Sequence, residues 1–262
     1  MPIFKAPSAS PTFFHHNNLL RIHYGSFGTG SMTFDLRNPD RKVHAGVILT
    51  KGVTEMLDIA PFEFFAWMTR PSLQMLNLPP AMLDDAIDFD LHWVTADGNP
   101  AALKSGASIQ PTHSFATCPP LDIVLMGAHD VKYQTTDAEK AFIRQSYERC
   151  SAFLTVCGGI LPMLEAGLLE GMSACAPRMM LGMMRKQAPH VTWVDKRWVR
   201  DGKVWSSSTL LNGMDLMRGF AEETWGGKNG AVEAMLDAAH FPARDVDFKD
   251  FHGKHFEVDS FE

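Results

Sequence analysis

The chain has 262 residues, 45% hydrophobic and 21% charged, enough to bury one large core as a single α/β domain or two small ones. A net charge of −6 and a pI near 6.0, with no run of Lys and Arg interleaved with aromatics, exclude a broad phosphate-binding face, so nucleic acid is not an expected partner. No stretch reaches the ~20 apolar residues of a membrane span and the first residues carry no signal-peptide core, which makes the cytoplasm the expected compartment.

Residues 1–41 lack steady periodicity, are rich in Pro, Ser, Gly and Asn, and read as an N-terminal extension. The adjacent pair His15 and His16 lies there and reads as solvent-exposed rather than metal-binding. From residue 43, short apolar runs alternate with helical stretches. Runs at 43–49, 89–94, 121–126 and 152–156 read as strands; 57–68 and 137–150 read as helices, the second with Thr136 as N-cap and Glu139 three residues on. Beyond these, 160–169 reads as a helix ending at Gly171, 178–187 as another, and 191–194 as a strand. Residues 198–205 read as a hairpin whose Asp201-Gly202 supplies the positive φ angles of a type I′ turn. Helices are expected at 211–223 and 230–239, then a charged tail with scattered Phe. This order predicts a parallel α/β sheet covered on both faces. The division is an α/β domain at 42–225, flanked by the extension at 1–41 and a C-terminal helix and tail at 226–262.

The most informative segment is Phe153-Leu-Thr-Val-Cys157-Gly158-Gly159, where an apolar run meets a cysteine, two glycines and helical sequence. That is the order of a nucleophile elbow, and a thiol at the following helix start is expected to gain thiolate character; the plainer reading of a free cysteine is a small buried hydrophobe. In a parallel sheet, ligands bind beyond the carboxyl ends of the strands, where the strand order reverses. Glu55 and Asp58 follow the first strand and could share a helical face. Gly127, Ala128 and His129 follow the third, in a turn whose N–H groups could face the Cys157 sulfur and stabilise developing negative charge. Each has a plain structural alternative: a helix-terminus carboxylate, a turn glycine, a surface histidine. The four cysteines, Cys118, Cys150, Cys157 and Cys175, show no zinc spacing and no disulfide density, and no Walker loop or dinucleotide fingerprint occurs, so neither metal nor cofactor is expected. Met163, Met172, Met179, Met180, Met183 and Met184 read as core or pocket lining, and Trp193, Trp198 and Trp205, near the hairpin, offer an aromatic surface for a homodimer contact.

Several segments in order carry a family resemblance: Thr54-Glu-Met-Leu-Asp58-Ile-Ala-Pro61, Ser105-Gly106-Ala-Ser-Ile-Gln-Pro111, Pro119-Pro-Leu-Asp-Ile-Val-Leu-Met-Gly127, Val156-Cys157-Gly-Gly159, Glu165-Ala-Gly-Leu-Leu-Glu-Gly171, Arg197-Trp-Val-Arg-Asp201-Gly-Lys-Val-Trp205 and Ser206-Ser-Ser-Thr-Leu-Leu-Asn-Gly-Met-Asp215. Over roughly residues 42–225 the chain resembles the ThiJ/PfpI (DJ-one-like) superfamily, and most of all its isonitrile hydratase branch. The resemblance implies a flavodoxin-like three-layer sandwich of the class I glutamine amidotransferase type. It implies Cys157 as the elbow cysteine, with Asp58 as the acid that approaches its thiol, kept protonated by the cost of two negative charges in one site. It further implies a hydro-lyase that adds water to an isonitrile to give an N-substituted formamide, with no cofactor, a small-molecule substrate and a homodimer.

The chain departs from that pattern at two places. Gly158 stands where the hydratase branch has Thr, and Cys175-Ala176-Pro177-Arg178 replaces a Thr-Thr-His-Trp segment, so a family histidine is absent. His129 sits where relatives have a second glycine and could reach the site from another direction. The second class of function is therefore a non-catalytic or redox-responsive member that keeps Cys157 as an oxidisable thiol, or a family enzyme turned to another small metabolite.

Overall fold

The computed structural model describes residues 34–254 and 256–258; His15, His16 and most of the N-terminal extension lie outside them. Seven strands form one sheet: β1 (Val43–Ile48), β2 (Phe89–Thr95), β3 (His113–Ser114), β4 (Ile123–Met126), β5 (Ala152–Thr155), β6 (Trp198–Asp201) and β7 (Val204–Ser207). Their spatial order is β6-β7-β5-β4-β1-β2-β3, and every pairing is parallel except the β6–β7 hairpin. The chain runs outward from β1 through β2 to β3, then returns to the other side of β1 to lay down β4 and β5. The strand order thus reverses between β1 and β4, which opens a crevice at their carboxyl ends.

The alternation of strand side chains divides the core into two layers. Val43, Ala45 and Val47 of β1, Ile123 and Leu125 of β4, and Leu154 of β5 face one layer, with Phe62, Phe64, Phe65 and Phe220. The helices of that layer are α1 (Met56–Ile59), α2 (Glu63–Trp67), α3 (Arg70–Met75), α7 (Asn212–Trp225) and α8 (Ala231–Ala238). Ile48, Val124, Met126 and Phe153 face the other, with Ile143, Ile160, Met163 and Met184 from α4 (Asp137–Arg149), α5 (Ile160–Glu165) and α6 (Leu181–Gln187). Because both faces are covered, β4 and β5 are buried at every position, which is why they read as continuous apolar runs. No helix among the described residues is long and apolar enough to cross a membrane.

Most helices fall where the periodicity puts them, and the differences have local causes. The capping box at α4 forms as expected: the Thr136 hydroxyl accepts from the Glu139 N–H and the Glu139 carboxylate accepts from the Thr136 N–H. The stretch 57–68 is broken by a 3₁₀ turn at Ala60–Phe62, since Pro61 lacks the N–H a continuous helix would use. Helix α5 ends at Glu165, before the predicted Gly171. Gly167, at φ +74°, reverses the chain there, and the Leu168 N–H closes back onto the Met163 carbonyl. The hairpin turn is also not type I′. Asp201 pairs with Val204, so Gly202 and Lys203 form the loop, and of these Gly202 alone has positive φ, at +57°, as in a type II′ turn. Trp193 and Trp205 are buried in the core rather than offered to a partner, and Trp198 stacks on Trp205 at 5.6 Å between ring centroids.

Candidate active site

Strand β5 delivers Val156 in extended conformation, and Cys157 then takes φ +58°, a left-handed value that a side chain adopts only when its surroundings impose it. Residues Cys157–Gly159 form a 3₁₀ turn that runs directly into α5. Gly159 is what allows this turn against the sheet: a Cβ there would sit well inside contact distance of the Met126 carbonyl at the end of β4. Gly158 leaves a narrow gap, its missing Cβ lying 3.2 Å from that of Ala128.

Asp58 enters from α1, in the connection that follows β1. Its side chain is fully buried; one carboxyl oxygen accepts the Ala128 N–H at 2.7 Å, and the other has no hydrogen-bond partner. Gly127 permits this approach, because a Cβ on it would lie 2.7 Å from the Asp58 Cβ. Burial pushes the Asp58 carboxyl up to about 7, against the Ala128 hydrogen bond and with help from the nearby Glu55 charge.

The Cys157 thiol does not gain the thiolate character expected from a helix start. Burial, and then the Asp58 and Glu55 carboxylates, push it up to about 12, and the N–H groups of Gly158 and Leu210 offset only part of this. The two amides facing the sulfur are therefore those of Gly158 and Leu210. The expectation that the Gly127-Ala128 turn would aim its N–H groups at the sulfur needs correction, since the Ala128 N–H is committed to Asp58.

Cys157 opens into a cavity of about 590 Å³, lined by Gly158, Ala128 and His129 together with Val53, Glu55, Leu103, Lys104, Asp130, Pro177, Met179, Met180, Thr209 and Leu210. Asp58 is set behind this wall rather than in it. His129 is a buried cavity residue and not a surface one: its Nδ1 donates to the Asp130 carbonyl at 2.8 Å, which leaves Nε2 as an acceptor with no partner. Glu55 does not pair with Asp58; its carboxylate meets the Lys104 ammonium at 3.0 Å on the cavity rim. Met179 and Met180 line the cavity as pocket methionines, whereas Met163, Met183 and Met184 are core.

The part of the site that sequence reasoning did not single out is the loop carrying Leu210. Thr209 donates through its hydroxyl to the Asn212 side-chain oxygen at 2.8 Å, Asn212 donates to Asp215 at 3.0 Å, and Arg244 holds Asp215 through two hydrogen bonds. This chain of contacts fixes the Leu210 amide beside the sulfur. The Asn212 and Asp215 positions were visible within the matched Ser206–Asp215 segment, but only as part of a pattern.

The DJ-1/PfpI family model matches residues 46–223. The isonitrile hydratase of Pseudomonas putida is 28% identical over 180 residues, covering 67% of this chain and 78% of that protein. Among solved structures, a ThiJ/PfpI family protein from Pseudomonas syringae superposes with a TM-score of 0.58 at 17% identity, over 80% of this chain and 78% of that one. DJ-1 of Schizosaccharomyces pombe superposes with a TM-score of 0.58 at 12% identity, over 76% of this chain and 100% of that one, a likeness of fold. An elbow cysteine in strained backbone at the end of β5, at the switch point of a parallel sheet, and a family match over two thirds of its length lead to one conclusion: the chain belongs to the DJ-1/PfpI family.

Proposed function

We propose that this protein is a cysteine-dependent hydro-lyase of the isonitrile hydratase type, acting on an isonitrile or a related small electrophile in the Cys157 cavity. The observation that carries the reading is the pairing of a buried carboxyl at Asp58, with one unpartnered oxygen and held up near 7, with a half-buried thiol at Cys157 that faces an apolar cavity. An isonitrile suits a site that disfavours charge, because it is neutral and its terminal carbon takes up both a nucleophile and a proton. The Cys157 sulfur adds to that carbon and the thiol proton ends on the same carbon, with Asp58 holding or passing it, to give a thioimidate. Water then adds to the thioimidate carbon, the C–S bond breaks, and the thiol regains its proton as the N-substituted formamide leaves. Without a thiolate at rest, Asp58 supplies the base at the moment of attack. The amides of Gly158 and Leu210 steady the sulfur while its proton is away.

His129 lines the cavity wall, where the missing family Thr and His positions leave a water-positioning role open, with its unpartnered Nε2 shielded from solvent. The redox-sensing alternative is less well supported, because sensor cysteines are low-pKa thiols and Cys157 is pushed the other way. The proposal extends to a cytoplasmic homodimer that needs no cofactor for this reaction, and light scattering on the purified protein tests its oligomeric part. Formamide production from a simple alkyl isonitrile, compared between the wild type and Cys157→Ser, tests the chemistry.

A further inference from the structure

A second cluster of reactive side chains lies at the opposite end of the sheet from the cysteine cleft. His44 is the second residue of β1, and Asp90 and His92 are the second and fourth residues of β2. The parallel register sets His44 beside Asp90 and Gly46 beside His92, so all three side chains emerge on one face of two adjoining strands. His44 Nδ1 is 3.0 Å from His92 Nε2 and 3.7 Å from an Asp90 carboxylate oxygen, and His92 Nε2 is 4.0 Å from the other Asp90 oxygen. One donor atom from each residue lies within 4.8 Å of the other two. On a tetrahedral ion with ligands at ~2.0–2.1 Å, two donor atoms stand about 3.3 Å apart, and the observed separations straddle that value.

We propose that His44, Asp90 and His92 bind one divalent first-row transition ion, zinc being the best chemical match. Two imidazoles and one carboxylate, with no sulfur, make a donor set suited to such ions and not to calcium or magnesium, and they leave a coordination position for water. His92 is the anchoring ligand: it is 2% exposed, and its far nitrogen, Nδ1, lies 3.3 Å from His113 Nδ1 on β3, which in turn contacts the Thr112 hydroxyl at 2.9 Å. With Nε2 on the ion, Nδ1–H donates to His113, and that outer hydrogen bond fixes the tautomer and the ring. Asp90 is half exposed and gives the ion its entry. The ion would tie β1 to β2 far from Cys157, so its effect is on stability rather than turnover. Ligand spacing along the chain could not reveal the site, because its residues come together only through strand pairing; it runs against the expectation that the chain holds no metal.

The test uses untagged protein stripped with a chelator, then titrated with Zn²⁺ by calorimetry and with Co²⁺ by visible absorption. The proposal expects one equivalent per chain, a melting temperature raised by zinc, and the same binding in Cys157→Ser. Binding should weaken by at least about tenfold in His44→Ala and in Asp90→Ala, both at partly exposed positions where folding, checked by circular dichroism, should survive. Absence of a stoichiometric equivalent would overturn it. So would binding that is unchanged in both of these variants, or binding lost in Cys157→Ser, which would move the ion to the thiol.

Discussion

At the scale of single residues, Asp58 determines how the site behaves with pH. Its carboxyl ordinarily titrates near 3.8 and is held here at about 7, so between those values the folded protein keeps a proton that the unfolded chain has released. The contribution of Asp58 to stability is therefore greatest below pH ~4, falls as pH rises toward 7, and levels off above it, by roughly 4 kcal/mol at most. Asp58→Asn keeps the acceptor for the Ala128 N–H and removes the titration. It should match the wild type in urea denaturation near pH 4 and exceed it at pH 8, while losing turnover by a factor of at least ~10². Equal stability of the two proteins across this range would show that the carboxyl is not held protonated. Cys157 and Asp58 were legible in the chain because each sits in a matched segment at a strand's carboxyl end. Leu210 and Lys104 were not, since an amide contact and a rim ion pair depend on where distant loops close. The raised thiol was missed for a related reason: helix-start position argues for thiolate, and only burial beside carboxylates reverses it.

At the scale of elements, the elbow stores strain that the fold holds in place. Cys157 at φ +58° is a left-handed position where a side chain costs about 1 kcal/mol or more. Both Cys157→Gly and Cys157→Ala lose the thiol, but the glycine variant should be the more stable by about 1 kcal/mol in denaturant titration, the reverse of the usual ranking inside a helix. Gly159→Ala drives a methyl group into the Met126 carbonyl and should cost roughly 1–3 kcal/mol while displacing the cysteine, seen as a lower melting temperature together with lost turnover. The cap of α4 is a simpler matter. Glu139 is fully buried and accepts hydrogen bonds from the Lys51 N–H at 2.8 Å and the Tyr133 hydroxyl at 2.7 Å as well as from Thr136, so it joins the loop after β1 to the helix start. Thr136→Ala should cost about 1 kcal/mol, measured by urea denaturation. That cap was readable because its signal is local, Thr followed three residues later by Glu. The break at Pro61, the early end of α5 at Gly167 and the short strand β3 were harder to read, being decided by one residue's backbone or by tertiary pairing.

At the scale of the whole molecule, the sheet order brings Asp58, Ala128 and Cys157 together from three connections widely spaced in sequence. The switch between β1 and β4 places the ends of β1, β4 and β5 side by side, so a residue after each can meet the others across the crevice. Alternating runs of strand and helix made the parallel sheet and both its layers legible. The return of the chain to the far side of β1 is a topological fact with no local signature, and it came from the resemblance. The same pairing of distant strands that builds the cysteine cleft builds the histidine cluster at the other end. The measurement that bears most directly on the proposed activity is formamide formation from an alkyl isonitrile at neutral pH, by wild type and Cys157→Ser side by side. The account predicts formamide from the wild type and none above the uncatalysed rate from the variant. No formamide from folded wild-type protein with an intact thiol by mass, or equal rates from both proteins, would contradict it.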